Sequence, residues 1–186
     1  MSGRDESAAL AAPSRASKLV MSPRSLGVLA AVAALVLDQA NKLWLIFGYD
    51  IAAHQPVRLT PFFDVVFAKN PGISYSLFSA QSAAGRWALF GLAIAATALL
   101  VIWLWRTRTK LTALGLGLII GGALGNACDR LAYGYVADFY HFHVERFSWY
   151  VFNLADVAIC AGVALLLLES LAKPAATKDG PPSEPH

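Results

Sequence analysis

The chain has 186 residues, of which 57% are hydrophobic and 15% charged, and its mean hydropathy is +0.53. A soluble domain carries roughly 25% charged residues, so this composition excludes an ordinary soluble protein and indicates an integral membrane protein. The formal charge of +3 would suggest a nucleic-acid partner if the basic residues formed one patch, but they lie at the ends of apolar runs, which favours a role in membrane topology.

Residues 1–25 are polar and rich in small residues, with Arg4, Arg15, Lys18 and Arg24 and no apolar periodicity, so they read as a disordered cytoplasmic tail. Leu26 to Phe47 forms the first expected span, long enough at about 20 residues to cross a bilayer core. A cleaved signal peptide is the competing reading of this start. It fits poorly, because a signal does not normally carry Asp and Lys followed by Trp-Leu-Ile-Phe. Asp38 and Lys42 are four residues apart, one helical turn on the same face. They are either a structural pair or a pair that faces the bundle interior and holds other polar groups in place.

Gly48 to Ala84 reads as a long non-helical loop whose stretch VRLTPFFDVVFAKNPGISYS has the composition of short strands. Asn70-Pro71-Gly72 is a turn signal, and Ser74 and Ser76 then alternate with Ile73, Tyr75 and Leu77 as in a strand. Gly85 to Trp105 is the second expected span, with Trp87, Trp103 and Trp105 at its ends. The third, Leu111 to Leu131, carries five glycines that permit close helix approach. The fourth runs from Phe152 to Leu171, and residues 173–186 form a second polar tail. Cys128 and Cys160 lie inside apolar runs, where a thiol acts as a small buried hydrophobe, so neither a disulfide nor a metal framework is expected. Basic residues in the first tail, at Arg106, Arg108 and Lys110, and at Lys173 put both termini in the cytoplasm. The loops 48–84 and 132–151 then lie on the outer side. The expected architecture is an all-α membrane protein with four transmembrane helices and a small extracytoplasmic β-layer, its single domain covering residues 26–172.

Chemistry concentrates in Gly121 to Asp156, where Asp129, Asp138 and Asp156 sit at the mouths of two apolar runs. Ionised acids at membrane depth are costly, so such acids mark function by default. Two carboxylates in one low-dielectric site cannot both ionise, so one keeps a proton while the other takes one from water, the arrangement of an aspartic hydrolase. Asp129 has Arg130 beside it and Asn126 a turn earlier, local means of staying charged and structural. Asp138 has no basic neighbour. Asp156 falls in the first turn of a helix that begins near Asn153, where the helix dipole favours a carboxylate; it suits the ionised role, with Asp138 holding the proton. His141 and His143 suit a strand, and without matched ligands they read as interfacial polar residues. The rival from another class is a small proton-coupled transporter or channel subunit, which would need acids spread across the membrane depth.

Five motifs in order, DQANK (Asp38 to Lys42), NPGISYS (Asn70 to Ser76), GNACDR (Gly125 to Arg130), GYVADF (Gly134 to Phe139) and FNLAD (Phe152 to Asp156), make the chain resemble the bacterial lipoprotein signal peptidases, or signal peptidase II. The resemblance implies that Asp138 and Asp156 are a catalytic dyad, with Asp129 as support. It implies that Asn70, Gly72, Asn126, Arg130 and Asn153 shape the site or contact a lipid-modified substrate, while the Asp38–Lys42 pair supports it. Tyr75 stands where that family usually has Phe, and Pro71, Ile73 and Ser74 replace the commoner Thr and Ala around Gly72. The implied activity is an endopeptidase that removes signal peptides from diacylglyceryl-modified prolipoproteins, cutting before the lipidated cysteine. No metal or other cofactor is implied. Its partners would be prolipoproteins and membrane lipids, and its expected form a monomer in the bacterial inner membrane with the active site toward the outer face.

Overall fold

A computed structural model describes residues 21–72 and 83–172. Helix α1 (Pro23–Leu43) continues into a π-helical turn (Trp44–Gly48), followed by a short helix α2 (Ile51–His54) and strands β1 (Val57–Thr60) and β2 (Phe63–Asn70). Helices α3 (Ala83–Arg106) and α4 (Lys110–Tyr133) come next, then β3 (Val136–Val144), β4 (Phe147–Ser148) and α5 (Leu154–Ala172). The protein is mostly helical, with a small antiparallel sheet ordered β1-β2-β3-β4. Three helical stretches, Pro23–Gly48, Lys110–Tyr133 and Leu154–Ala172, are long and apolar enough to cross a membrane, and α3 contributes the apolar run Phe90–Arg106.

Three details differ from the sequence reading. Helix α1 starts at Pro23, inside the expected tail, because the Ser22 hydroxyl caps it by accepting from the Ser25 N–H at 3.1 Å and Pro occupies the first turn, where a missing N–H costs nothing. The first loop is not wholly irregular, since α2 interrupts it. Cys128 and Cys160 are exposed on their helices and are free thiols; a membrane helix is apolar on all sides, so lying in an apolar run does not tell which face a residue takes. Residues 1–20 of the first tail, the second tail and the Ile73 to Leu77 alternation fall outside the described residues.

Helix α4 is the centre. The buried stripe of α1, Gly27, Ala30, Ala34, Asp38 and Lys42, recurs every three or four residues and packs against it. Consecutive glycines on α4 serve opposite neighbours: a Cβ at Gly121 would strike the Ala31 carbonyl of α1, and one at Gly122 would lie 2.5 Å from the Ala155 carbonyl of α5. The expected close approach is therefore made on two sides of the same helix. At the far end Leu104, Ala113, Leu116 and Ile120 form an apolar cluster that ties α3 to α4.

The sheet caps the other end. In register, β2 pairs with β3 through Asp64↔His141 and Ala68↔Asp138, with an irregularity between Val65 and Ala68. Leu45, Ile51, Val65, Ala137 and Phe139 form the cluster beneath it. A bridge between Tyr140 and Phe152, with N–H to carbonyl bonds of 2.8 and 3.0 Å, lays the chain entering α5 along β3. That bridge sets Asn153 beside Asp138.

Candidate active site

Asp38, Lys42, Asn126, Asp129 and Asn153 are buried together inside the bundle. Lys42 Nζ lies 2.8 Å from Asp38 Oδ2 and 2.7 Å from Asp129 Oδ2, and it donates to Asn126 Oδ1 at 3.3 Å. The i, i+4 pair read from DQANK is thus an interior pair that also holds other polar groups, with α1 supplying the ammonium for an acid of α4. Asp129 takes Lys42 as its ion-pair partner, across helices, and not the adjacent Arg130: successive helical residues point about 100° apart, and Arg130 Nη1 donates instead to the Asn126 carbonyl at 3.2 Å. A Cβ at Gly125 would lie 2.5 Å from Asp38 Oδ2, so that glycine leaves room for the carboxylate.

Asp129 and Asp38 also fix backbone. Asp129 Oδ2 accepts the Ala137 N–H at 3.0 Å, anchoring the start of β3, and Asp38 Oδ1 accepts the Ala155 N–H at 2.9 Å, satisfying an open donor in the first turn of α5. Gln39 Nε2 donates to Asp38, Asp129 and the Gly125 carbonyl, and Asn41 Oδ1 accepts from Tyr140 Oη at 3.0 Å. Sequence reasoning did not single out Gln39 or Asn41. Their place inside DQANK, between the two members of an interior pair, was the available signal.

Asp138 and Asp156 are held differently. Asn153 caps α5 reciprocally, accepting the Asp156 N–H at 3.0 Å while its own N–H donates to Asp156 Oδ2 at 3.2 Å. Its side-chain amide donates to Asp138 Oδ1 at 2.6 Å and to Asn126 Oδ1 at 3.1 Å. Asn126 Nδ2 in turn donates to Asp156 Oδ1 at 2.9 Å. One asparagine therefore touches both carboxylates, and a second ties Asp156 to the Lys42 network.

The remaining oxygen, Asp138 Oδ2, accepts from Asn70 Nδ2 at 3.0 Å. Asn70 is aimed by its own turn: its Oδ1 accepts the Gly72 N–H at 2.9 Å, and Gly72 has φ 99°, which a residue with a Cβ adopts only under strain. All ten site residues expected from the sequence thus belong to one polar assembly, with Gly72 taking part through its backbone.

The electrostatic contrast within this assembly is sharp. Asp38 and Asp129 share a buried ammonium. Asp138 and Asp156 are met by amide and backbone N–H groups, and among the described residues neither forms an ion pair. Asp138, 2% exposed, has its carboxyl pushed from 3.8 to about 6 by burial, with the negative charge of Asp156 adding to the rise and Asn70, Asn153 and Lys42 opposing it. A carboxyl so placed holds or releases a proton near neutral pH, which is what proton transfer to or from a bound water requires.

Comparison with known proteins adds to this geometry. A family model described as signal peptidase (SPase) II matches residues 30–172. A protein named lipoprotein signal peptidase from Beijerinckia indica is 64% identical over 166 residues, covering 89% of this chain and 99% of its own length. One of the same name from Methylocella silvestris is 68% identical over 151 residues, 81% of this chain and 88% of that one. Among solved structures, a bacterial membrane enzyme determined by the in meso method superposes with a TM-score of 0.69 at 23% identity, covering 84% of this chain and 94% of that one, and shares the fold.

Proposed function

The chain belongs to the signal peptidase II family, and from that premise we propose that this membrane peptidase removes signal peptides from diacylglyceryl-modified prolipoproteins with Asp138 and Asp156 as its catalytic pair. The observation that carries the assignment is the contrast in charge partners: Lys42 neutralises Asp38 and Asp129, whereas Asp138 and Asp156 are joined through Asn153 with no cation on either among the described residues. A neutralised carboxylate is a poor base. Two close, unneutralised ones share a proton.

In the proposed reaction the ionised member, Asp156, takes a proton from water as it attacks the carbonyl before the lipidated cysteine. Asp138 supplies its proton to the tetrahedral intermediate, and the pair returns a proton to the leaving amine. Asn153, Asn126 and Asn70 hold the carboxylates in place without quenching their charge. Arg130, half-buried and bonded to the Asn126 carbonyl, supports the Asp156 side of the site.

The reading includes α3 as a fourth span, both termini in the cytoplasm, and the sheet with the dyad at the outer face of the inner membrane, as the basic residues at Arg106, Arg108 and Lys110 support. A site at that depth suits a monomeric enzyme whose substrate keeps its acyl chains in the lipid. The test is cleavage by the purified protein of matched substrates with and without the diacylglyceryl group. Cleavage of the lipidated form alone is expected, and equal cleavage of both would remove lipid recognition from the account.

A further inference from the structure

Beyond the peptidase site, the sheet assembles a second constellation. His141 and His143 are two apart on β3, so their side chains leave the same face, the one opposite Asp138. Asp64 of β2 sits directly across from His141 in register and diagonally from His143. His143 Nε2 is 3.0 Å from Asp64 Oδ2, the two imidazoles lie 5.1 Å apart, and one ligand atom from each of the three residues falls within 4.8 Å of the others.

A second observation is independent of that clustering. Asp64 is buried, and its other oxygen, Oδ1, accepts no hydrogen bond among the described residues. The cation closest to it in the ion-pair geometry, Arg58 Nε, stands 3.6 Å away on a side chain that is 72% exposed. This exposed guanidinium meets the oxygen at ion-pair distance without a hydrogen bond, so a buried carboxylate that is costly to leave without a donor keeps room for a closer cation.

We propose that Asp64, His141 and His143 form a binding site for a divalent transition-metal ion, zinc by its chemistry. Two imidazole nitrogens and one carboxylate oxygen are the donor set that zinc takes in three-ligand sites, with the fourth position left to water. Tetrahedral zinc with bonds of about 2.0 Å separates its ligand atoms by roughly 3.3 Å, so the cluster closes by up to about 1.5 Å through side-chain rotation. Ser148 of β4, whose hydroxyl lies 2.8 Å from His141 Nε2, orients that ring or takes the fourth position. Arg58 swings into solvent as the metal takes over its charge role. The ion then clamps β2 to β3 on the face away from the dyad and takes no part in peptide cleavage.

The experiment uses full-length protein without a histidine tag, stripped of metal in detergent and titrated with zinc against a chromophoric chelator, alongside thermal unfolding. One equivalent should bind with Kd of about 1 µM or tighter, and the melting temperature should rise with zinc. His141→Gln and His143→Gln, both at incompletely buried positions, should each weaken binding at least roughly tenfold, while His54→Gln leaves it unchanged. If His143→Gln lowers the metal-free melting temperature, His141→Gln alone decides. Absence of saturable binding, or wild-type affinity in His141→Gln, overturns the proposal.

Discussion

Replacing Lys42 with Met keeps the length and apolar stem of the side chain and removes the ammonium that lies within 2.8 Å of both Asp38 and Asp129. All three groups are at most 2% exposed, so water cannot take over. Breaking a buried ion pair by removing one partner costs about 3–5 kcal/mol, because an uncompensated charge is left behind. Here one cation serves two acids. A loss of this size lowers the melting temperature by roughly 10 °C in a protein of this length. The assay is thermal unfolding of purified Lys42→Met in detergent. Adding Asp129→Asn should recover part of the loss, since it removes one of the two stranded charges. A Lys42→Met protein that melts with the wild type, or a double variant that is worse than the single, would refute the claim that this ammonium neutralises the support acids.

The folded protein holds the Asp138 proton more tightly than the unfolded chain, its pKa rising from 3.8 to about 6, so this carboxyl's contribution to stability is full below 3.8 and lost as pH rises through about 6. The melting temperature of the wild type relative to Asp138→Asn should therefore improve between about pH 7 and pH 5, and a pH-independent difference would contradict it. Reporter fusions at the two termini should give a cytoplasmic signal and fusions near Asp64 and His143 an outer one; a cytoplasmic signal near Asp64 would overturn the four-span topology. Exhaustive chelation should leave prolipoprotein cleavage intact, because the proposed zinc lies across β3 from the dyad. Activity lost on chelation and restored by zinc would replace the carboxylate-activated water with a metal-bound one.

Much of this was legible in the sequence because membrane helices announce themselves by length and apolar content, and because acids inside such runs are too costly to be incidental. Spacing put Asp38 and Lys42 on one face of a helix and left open whether they were a structural pair or an interior one, and a helix start near Asn153 put Asp156 in the first turn of α5. Partnerships between helices were not legible. Asp129 was matched to its sequence neighbour Arg130, whereas the fold brings Lys42 from α1 to it. The same limit hid the third member of the histidine cluster: His141 and His143 read as partnerless until β2 paired with β3 and set Asp64 opposite them. Cys128 and Cys160 were misjudged for a related reason, since lipid and protein interior select the same apolar composition.

The central claim is that Asp138 and Asp156 do the chemistry and Asp129 holds the frame, and cleavage of a diacylglyceryl-modified prolipoprotein by purified Asp138→Asn, Asp156→Asn and Asp129→Asn, each normalised to folded protein, tests it most directly. The first two should lose at least roughly three orders of magnitude in rate while folding, since each removes one member of a unit that acts together. Asp129→Asn should show a lower folded fraction or melting temperature, through Lys42 and the start of β3, while the folded molecules keep measurable turnover. If folded Asp138→Asn cleaves well and stable, folded Asp129→Asn does not, the catalytic pair is Asp129 with Asp156 and the assignment made from the charge partners is wrong.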